Sequence, residues 1–387
     1  MKTSKLILPV IVISQFCCTS LWFAGNGVIN DLVINFGLNE SALGHLTSAV
    51  QFGFIIGTLT FAILTISDRF SPSKVFLISA LLGALFNLGI LWESNNLLTL
   101  LLLRFFTGFF LAGIYPVGMK IATDYFKNGL GKSLGFLVGA LVIGTAFPHL
   151  LNGITEFYSW KSVLITTSLL ATLGGLLMFL IVPNGPYRKP SQQTDFSAFL
   201  KVFENKKFRS AAFGYFGHMW ELYAFWAFTP LAIQTYNLLN SETLSIPIWT
   251  GIIIALGGLS CVLGGLLSQK TGSHKIALVA LFLSGVFCLV SPILFQLSTN
   301  LFLIGWCFWG MAVTADSPQF SNLVASSIPA ELKGTGLTLV NCIGFAISIV
   351  SIQLLSYLAE TTNPKYLFIL LSIGPLLGLL SLGRKAS

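Results

Sequence analysis

The sequence predicts an all-α membrane protein with twelve transmembrane helices. Of its 387 residues, 55% are hydrophobic and only 9% are charged, whereas about a quarter of the residues in a typical soluble domain are charged. Apolar runs long enough to cross a hydrocarbon core of about 30 Å recur along the whole chain. These runs are too long and too uniformly apolar for the alternating strands of a barrel, so helices are the remaining choice.

The twelve predicted spans are separated by polar connections. They cover residues 6 to 28, 42 to 66, 74 to 92, 97 to 121, 131 to 153, 161 to 182, 209 to 236, 247 to 268, 275 to 296, 300 to 325, 334 to 358 and 365 to 383. Lys2 and Lys5 precede the first run, as in a signal peptide, but the run continues without a small-residue cleavage site. We therefore expect the first span to be retained.

The net charge of +8 is explained by membrane topology. If the N-terminus is cytoplasmic, 18 of the 21 Lys and Arg residues lie on the cytoplasmic side, Lys161 and Lys365 lie outside, and Arg104 lies within a span. The positive-inside rule then places both termini in the cytoplasm. We expect a multi-pass monomer in the cytoplasmic (inner) membrane.

The composition also limits the partners. The cations form no single patch, so no nucleic-acid partner is expected. All six cysteines lie in apolar segments without metal-site spacing, so the sequence predicts neither a metal site nor a cofactor. The expected partners are a small-molecule substrate, protons and the lipid bilayer.

One long polar connection divides the chain into two halves of six spans. We predict an N-terminal six-helix bundle at residues 1–182, a cytoplasmic linker at 183–208 and a C-terminal six-helix bundle at 209–387. Matching positions in the halves support a duplication. Asp68 aligns with Gln269 at an offset of 201 residues, and Pro116 with Pro318 at an offset of 202.

Two short motifs carry a family resemblance. Asp68 and Arg69 stand between spans 2 and 3 with Lys74 after them, and in span 4 Arg104 is followed four residues later by Gly108. These residues resemble the loop motif and the span 4 motif of the major facilitator superfamily, and the resemblance extends over essentially the whole chain. It implies two six-helix bundles around a cavity that opens alternately to each side and is lined by spans 1, 4, 7 and 10. It also implies that Asp68 and Arg69 gate or brace the cytoplasmic side.

The sequence departs from the family pattern at several positions. Leu64 and Ser71 stand where the loop motif has glycines, and span 5 contains Gly144 and Pro148 but not the adjacent Gly-Pro pair of the drug antiporter branch. The doubly Gly-rich signature of nitrate and nitrite carriers is also absent. The branch therefore stays unassigned.

Span 1 carries a polar stripe at helical spacing. Its members are Gln15, Thr19, Trp22, Asn26 and Asn30. Amides and an indole do not face lipid without a large desolvation cost. The stripe either lines the cavity and binds substrate, or supplies hydrogen bonds between helices.

In span 4, Arg104 and Tyr115 are the candidates for substrate contact. A guanidinium binds a carboxylate or phosphate through two parallel hydrogen bonds, so Arg104 favours an anionic solute. The alternatives are a fixed ion pair with Asp31 or a structural arginine that binds backbone carbonyls.

Spans 7 and 10 contain the ionisable residues near the membrane centre. His218 and Glu221 lie three residues apart, which places them on one face of a helix. Asp316 lies near the middle of span 10. Intramembrane ionisable residues are functional candidates by default. We predict that these three couple transport to protons, the alternatives being that His218 and Glu221 satisfy each other or a neighbouring helix, or that Asp316 compensates for the lost donor at Pro318.

Other cavity candidates are Tyr215, Trp309 and Asn341. The sequence contains no Gly-x-Ser-x-Gly, His-Glu-x-x-His, Walker or dinucleotide-binding motif, so neither an enzyme nor an ATP-driven pump is expected. The leading hypothesis is a proton-coupled secondary transporter of a small polar or anionic solute. The alternative is an exporter of amphiphilic drugs or metabolites.

Overall fold

A computed structural model describes residues 6–39, 41–126, 130–154, 159–188, 199–329 and 332–383, and every regular element within these ranges is a helix. Lys2, Lys5 and residues 189–198 of the predicted linker lie outside the described ranges. The helices of the first half are α1 (Ile7–Thr19), a 3₁₀ turn (Asn26–Val28), α2 (Ile29–Phe36), α3 (Ala42–Ile63), α4 (Ile66–Arg69), α5 (Pro72–Gly89), α6 (Leu97–Leu111), α7 (Tyr115–Tyr125), α8 (Leu130–Ile154) and α9 (Lys161–Ile181).

The second half is helical in the same way. Its elements are α10 (Phe199–Glu204), α11 (Lys206–Asn240), α12 (Ile246–Thr271), α13 (Ser273–Leu294), α14 (Thr299–Ala315), α15 (Ser317–Ser326), α16 (Lys333–Thr361), α17 (Pro364–Leu367), a 3₁₀ turn (Phe368–Ser372) and α18 (Ile373–Gly383).

Nine helical segments in the described ranges are long and apolar enough to cross a membrane. They are α3, α5, α6 with α7, α8, α9, α12, α13, α16, and α17 with α18. The other three predicted spans correspond to α1 with the 3₁₀ turn that follows it, to α11, and to α14 with α15, and α2 begins directly after the predicted end of the first span. Each predicted span therefore matches one helix or one interrupted helix, and the predicted all-α membrane fold is confirmed.

The interruptions occur where the sequence predicts continuous helices. Pro116 is the second residue of α7 and Pro318 the second of α15, so each proline follows a break in its span. Proline lacks the N–H that a continuous helix needs and its ring clashes with the carbonyl four residues earlier. The two aligned prolines thus have the same structural effect.

Span 1 is interrupted after Thr19. The backbone N–H of Leu21 binds the carbonyl of Cys18, and that of Trp22 binds the carbonyl of Thr19, at N···O distances of 3.4 and 3.0 Å. These bonds reach back three residues instead of four, which tightens the chain. The predicted single helix over residues 6 to 28 is therefore wrong in its second half.

The chain divides into two compact units, Met1–Gln193 and Thr194–Ser387. The boundary falls inside the predicted connection at 183–208. In the first unit α1 packs on α8 and α9, and α3 packs on α6. In the second unit α11 packs on α16 and α18, and α12 packs on α14.

Glycines permit the close packing of α3 on α6. A Cβ at Gly53 would lie 1.9 Å from the carbonyl oxygen of Phe105, and a Cβ at Gly108 would lie 2.0 Å from that of Val50. Small residues of this kind let membrane helices approach through their backbones, where dispersion contacts stabilise the pair. The Gly108 of the span 4 motif is thus required by packing.

Candidate functional site

Glu221 is the centre of a polar cluster inside the C-terminal unit. It lies on α11 and is fully buried. Its Oε1 accepts hydrogen bonds from Trp309 Nε1 at 2.7 Å, from Cys288 Sγ at 3.3 Å and from Ser284 Oγ. Its Oε2 has no hydrogen-bond partner. Three neutral donors from two other helices therefore hold one carboxylate oxygen.

Aromatic rings surround Trp309, the hydrogen-bond donor on α14. The ring of Trp309 lies 4.8 Å from that of Phe225, 5.0 Å from that of Trp306 and 6.3 Å from that of Phe287, measured between centroids. Trp309 itself is fully buried. The rings separate the Glu221 carboxylate from water on this side, and the N–H of Trp309 is engaged by Glu221 rather than directed to a solute.

Ser284 and Cys288 were missed by the sequence reasoning. They lie four residues apart on α13, so they share a helix face. A small polar pair in a strongly apolar helix is a weak signal, because serine and cysteine also occur as ordinary small residues in membrane helices.

His218 and Asp316 form the second cluster of the C-terminal unit. Nδ1 of His218 lies 2.8 Å from Oδ1 of Asp316, and both side chains are about 1% exposed. Nε2 of His218 shares a hydrogen bond with Ser317 Oγ, at 2.8 Å. The imidazole thereby connects α11 to the break between α14 and α15.

These contacts distinguish among the sequence-based alternatives. His218 and Glu221 each bind residues of neighbouring helices. Asp316 precedes α15 as its N-cap residue, yet its side chain makes no capping hydrogen bond. Its carboxylate is directed to His218 instead of compensating for the missing donor at Pro318.

The remaining C-terminal candidates are Tyr215 on α11, whose ring lies 6.0 Å from that of His218, and Asn341 on α16. Tyr215 is buried, with its ring 6.4 Å from that of Phe320 and close to Gly344 of α16. Asn341 is half-buried on α16.

In the N-terminal unit, Arg104 binds the interrupted part of span 1. Nη1 donates to the carbonyl of Leu21 at 3.1 Å, and Nη2 donates to the carbonyl of Trp22. The side chain is 1% exposed, and a Cβ at Gly25 would lie 3.2 Å from its Nε. Among the described residues no carboxylate pairs with Arg104, so the expected alternative of a structural arginine on backbone carbonyls is the one observed.

Two buried glutamines carry unused hydrogen-bonding capacity. Neither amide atom of Gln15 on α1 or of Gln51 on α3 has a hydrogen-bond partner, although both side chains are fully buried. A Cβ at Gly118 would lie 2.3 Å from Gln15 Oε1, so α7 passes directly beside that amide. Gln15 was predicted to contact substrate. Gln51 was missed, because a lone glutamine in span 2 has no partner in the sequence pattern.

Of the other members of the span 1 stripe, Trp22 and Asn26 contact residues of α3, whereas Asn30 lies at the surface. Asn26 donates from Nδ2 to Thr47 Oγ1 at 2.7 Å, and the ring of Trp22 lies 4.8 Å from that of Phe54. Gln51 lies between Thr47 and Phe54 on α3, at the helical spacing that puts all three on one face. Asn30 is exposed.

Tyr115 is half-buried at the first residue of α7. Its place directly after the break in span 4 matches that of Ser317 after the break in span 10.

The comparisons with known proteins decide the family. Residues 11–352 match the family model of the major facilitator superfamily. The chain belongs to the major facilitator superfamily. Superfamily membership makes it a multi-pass membrane transporter of small molecules and not an enzyme.

Named relatives of this superfamily transporter differ in what they carry. It is 23% identical over 349 residues to a bicyclomycin resistance protein homolog of Haemophilus influenzae, covering 84% of this chain and 82% of the relative. It is 21% identical over 356 residues to a gallate transporter of Pseudomonas putida, covering 81% and 76% of the two chains. The solved structure of the proton:xylose symporter XylE bound to 6-bromo-6-deoxy-D-glucose superposes with a TM-score of 0.76 at 14% identity, covering 98% of this chain and 95% of XylE. At that identity the likeness shows the shared fold.

The superfamily loop motif forms a brace within the N-terminal unit. Oδ1 of Asp68 lies 2.5 Å from Nζ of Lys120 on α7, and Arg188 donates to the carbonyls of Asp68 and Phe70, both at 2.8 Å. Arg69 is exposed and donates to Thr65 Oγ1 at 3.1 Å. The aspartate of the motif therefore connects the segment between α3 and α5 to α7, whereas Arg69 makes a local contact.

Proposed function

We propose that this protein is a proton-coupled secondary transporter of a small polar or anionic solute, working by alternating access in the cytoplasmic membrane with both termini in the cytoplasm. The observation that carries the proposal is the buried Glu221 carboxylate, held by neutral donors alone. The arrangement of basic residues along the sequence supports the topology.

Charge balance assigns different roles to the two carboxylates. His218 and Asp316 can neutralise each other, since an imidazolium and a carboxylate 2.8 Å apart form an ion pair without net charge. Glu221 has no cation within ion-pair distance among the described residues. An unpaired buried charge is costly in a membrane, so Glu221 is the group that gains most from taking up a proton.

The hydrogen bonds at Glu221 fit such an exchange. Its Oε1 is stabilised by Ser284, Cys288 and Trp309 in either protonation state, because all three donors are neutral. Its Oε2 is left as the oxygen that can carry the proton. Protonation changes the charge inside the C-terminal unit by one without requiring these donors to rearrange.

The N-terminal unit supports the choice of solute. Gln15 and Gln51 supply buried amides with free hydrogen-bonding capacity, and Arg104, although its Nη1 and Nη2 bind the carbonyls of Leu21 and Trp22, gives this unit a buried positive charge without a carboxylate partner among the described residues. Such groups suit a solute with carboxylate and hydroxyl groups. The similarity to a gallate transporter is consistent with that class, since gallate is a hydroxylated aromatic carboxylate.

The second candidate is an exporter of amphiphilic compounds. It is favoured by the similarity to a bicyclomycin resistance protein homolog and by the aromatic rings around Trp309. Expression in drug-sensitive bacteria distinguishes the two functions. Protection against bicyclomycin supports export, whereas accumulation of labelled gallate in washed cells supports uptake.

The proton-coupling test uses purified protein in liposomes that contain a pH-sensitive dye. The probes are gallate, benzoate, gluconate and xylose, ranked first by the thermal shift that each produces. We expect inward solute flux to acidify the lumen for the wild type. Glu221→Gln replaces the carboxylate by a neutral amide whose oxygen can accept the same hydrogen bonds, and this variant is expected to exchange solute without moving protons.

The matched control is Glu242→Gln. Glu242 follows the last residues of α11 and is exposed, accepting a hydrogen bond from Thr299 Oγ1 at 2.7 Å. The Glu242→Gln variant should retain the proton flux of the wild type. Proton flux in Glu221→Gln equal to that of the wild type would exclude Glu221 as the coupling group.

A further inference from the structure

A deep groove follows the surface of the C-terminal unit where α11 and α18 meet beside α16. Its volume is about 830 Å³, within the usual range of small-molecule sites. Its walls include Phe213, Leu377 and Leu380, which are 50%, 58% and 60% exposed. Large exposed apolar side chains in a membrane helix face lipid, so the groove opens to the bilayer.

Small residues at the helix contact create the depth of the groove. Ser210 and Ser381 exchange hydrogen bonds, each hydroxyl donating to the backbone carbonyl of the other residue, at 2.8 and 3.2 Å. A Cβ at Gly217 would lie 2.2 Å from the carbonyl oxygen of Gly374. The two backbones therefore approach closely along the floor, while the larger side chains beside them form walls.

One end of the groove is positively charged. Lys206 and Arg209, in the first turn of α11, contribute to its lining, and both are exposed. None of the described residues that line the groove is acidic. Glu204, nearby in sequence on α10, is not part of it. An anionic group at this end would contact two cations, and the groove beyond them is apolar.

The length of the groove matches one leaflet of a bilayer. Arg209, Phe213, Phe216 and Trp220 form one stripe along α11. Eleven residues separate the first from the last, or about 16 Å of helix at 1.5 Å per residue. Half of a hydrocarbon core of about 30 Å is about 15 Å. A lipid acyl chain that starts at the basic end of the groove therefore reaches Trp220 near the membrane centre.

We propose that this groove binds one anionic phospholipid. Its phosphate contacts Lys206 and Arg209, and one acyl chain lies along Phe213 and Phe216 as far as Trp220. A neutral phospholipid would fit the apolar part but would lack net charge opposite the two cations. The indole of Trp220 is fixed by a hydrogen bond from Nε1 to the carbonyl of Leu370, at 3.2 Å, and forms the inner end of the site.

The headgroup is tested by native mass spectrometry of the full chain from nanodiscs of phosphatidylcholine with increasing phosphatidylglycerol. Each cation near an anionic lipid contributes about 1 kcal/mol, so Lys206→Gln combined with Arg209→Gln should weaken retention of one phosphatidylglycerol roughly thirtyfold. The control is Lys270→Gln combined with Lys275→Gln, which removes two exposed cations of α12 and α13 outside the groove. It should bind like the wild type.

The acyl chain is tested by fluorescence quenching with lipids brominated on that chain. The difference between the wild type and Trp220→Phe isolates the emission of Trp220. We expect brominated phosphatidylglycerol to quench it saturably at low mole fraction, and unlabelled phosphatidylglycerol, but not phosphatidylcholine, to relieve the quenching.

Three outcomes would overturn the proposal. They are unchanged phosphatidylglycerol retention in the groove variant, an equal loss in the control variant, and identical quenching of Trp220 by the two lipid classes. Equal thermal unfolding midpoints of both double variants and the wild type in pure phosphatidylcholine would show that a loss of binding is not a loss of fold.

Discussion

Nδ1 of His218 lies 2.8 Å from Oδ1 of Asp316, and the two residues belong to different helical spans of the C-terminal unit. The contact spans from α11 to the single residue between α14 and α15, where Pro318 prevents a continuous helix. The pair therefore connects α11 to the break in span 10.

The stability lost in the two single variants of this pair should add up to more than the stability lost in the double variant. His218→Gln places a neutral amide beside the buried carboxylate and Asp316→Asn places one beside the buried imidazole, so each loses the charge-assisted hydrogen bond and should lower the free energy of unfolding by about 1 to 3 kcal/mol. The double variant pairs two amides and should lose less than the sum. Unfolding by SDS titration measures the cycle, and additive losses would show that the pair does not contribute as a unit.

Arg104 should be required for the shape of span 1 rather than for its charge alone. Lysine keeps the charge but lacks the guanidinium fork that reaches the carbonyls of Leu21 and Trp22 together. We expect Arg104→Lys to lower the free energy of unfolding by about 1.5 to 3 kcal/mol, the usual value of hydrogen bonds to a charged group. A variant of wild-type stability that has lost only gallate binding would instead assign Arg104 to the solute.

Lys161 offers a control for that experiment. It lies 2.9 Å from Glu93, and the hydrogen bond from its ammonium lowers the pKa of the Glu93 carboxyl. Glu93 lies between two predicted spans and Lys161 is the first residue of another, and their side chains are 84% and 40% exposed, so water screens the pair. Lys161→Gln should therefore leave unfolding almost unchanged.

The loop brace predicts unequal roles for two adjacent residues of the family motif. The Asp68 and Lys120 side chains are 16% and 23% exposed, so their pair is only partly screened. Asp68→Asn should lower the free energy of unfolding by about 1 kcal/mol, whereas Arg69→Gln should change it by less than about 0.5 kcal/mol because Arg69 is exposed. Partial recovery in Asp68→Lys combined with Lys120→Asp, measured by thermal unfolding, would confirm the pairing. Equal effects at Asp68 and Arg69 would contradict it.

The sequence predicts the helices well because the bilayer imposes a length and a composition on each span. The sequence shows the aligned prolines, but it does not predict the helix breaks that follow from them. Proline is tolerated inside other helices of this protein, such as Pro148 in α8 and Pro230 in α11. The effect of a proline depends on whether neighbouring helices satisfy the freed carbonyl, which is a tertiary property.

The sequence reveals a candidate site residue where that residue is unusual by itself. Glu221 and Asp316 are conspicuous as carboxylates in apolar segments, whereas Ser284, Cys288 and Gln51 become notable only through their spatial neighbours. Helical spacing also suggested one common face for His218 and Glu221. It could not predict that α13 and α14 surround Glu221 while the α14–α15 break meets His218, because periodicity gives a direction on one helix and no information about the helices around it.

The close approach of α3 and α6 gives a prediction with a large expected effect. In Gly108→Ala the new methyl group would lie 2.0 Å from the carbonyl oxygen of Val50, a backbone atom that cannot move aside alone. We expect the helices to separate and the free energy of unfolding to fall by about 1 to 3 kcal/mol, as for an overpacked core.

Gly334→Ala is the matched control, because Gly334 is exposed on α16 and its Cβ would meet nothing within 4 Å. Alanine favours a helix over glycine by up to about 1 kcal/mol, so that variant should be as stable as the wild type or more so. Thermal unfolding of both variants decides the matter: equal midpoints would mean that α3 and α6 are less closely packed than these distances require.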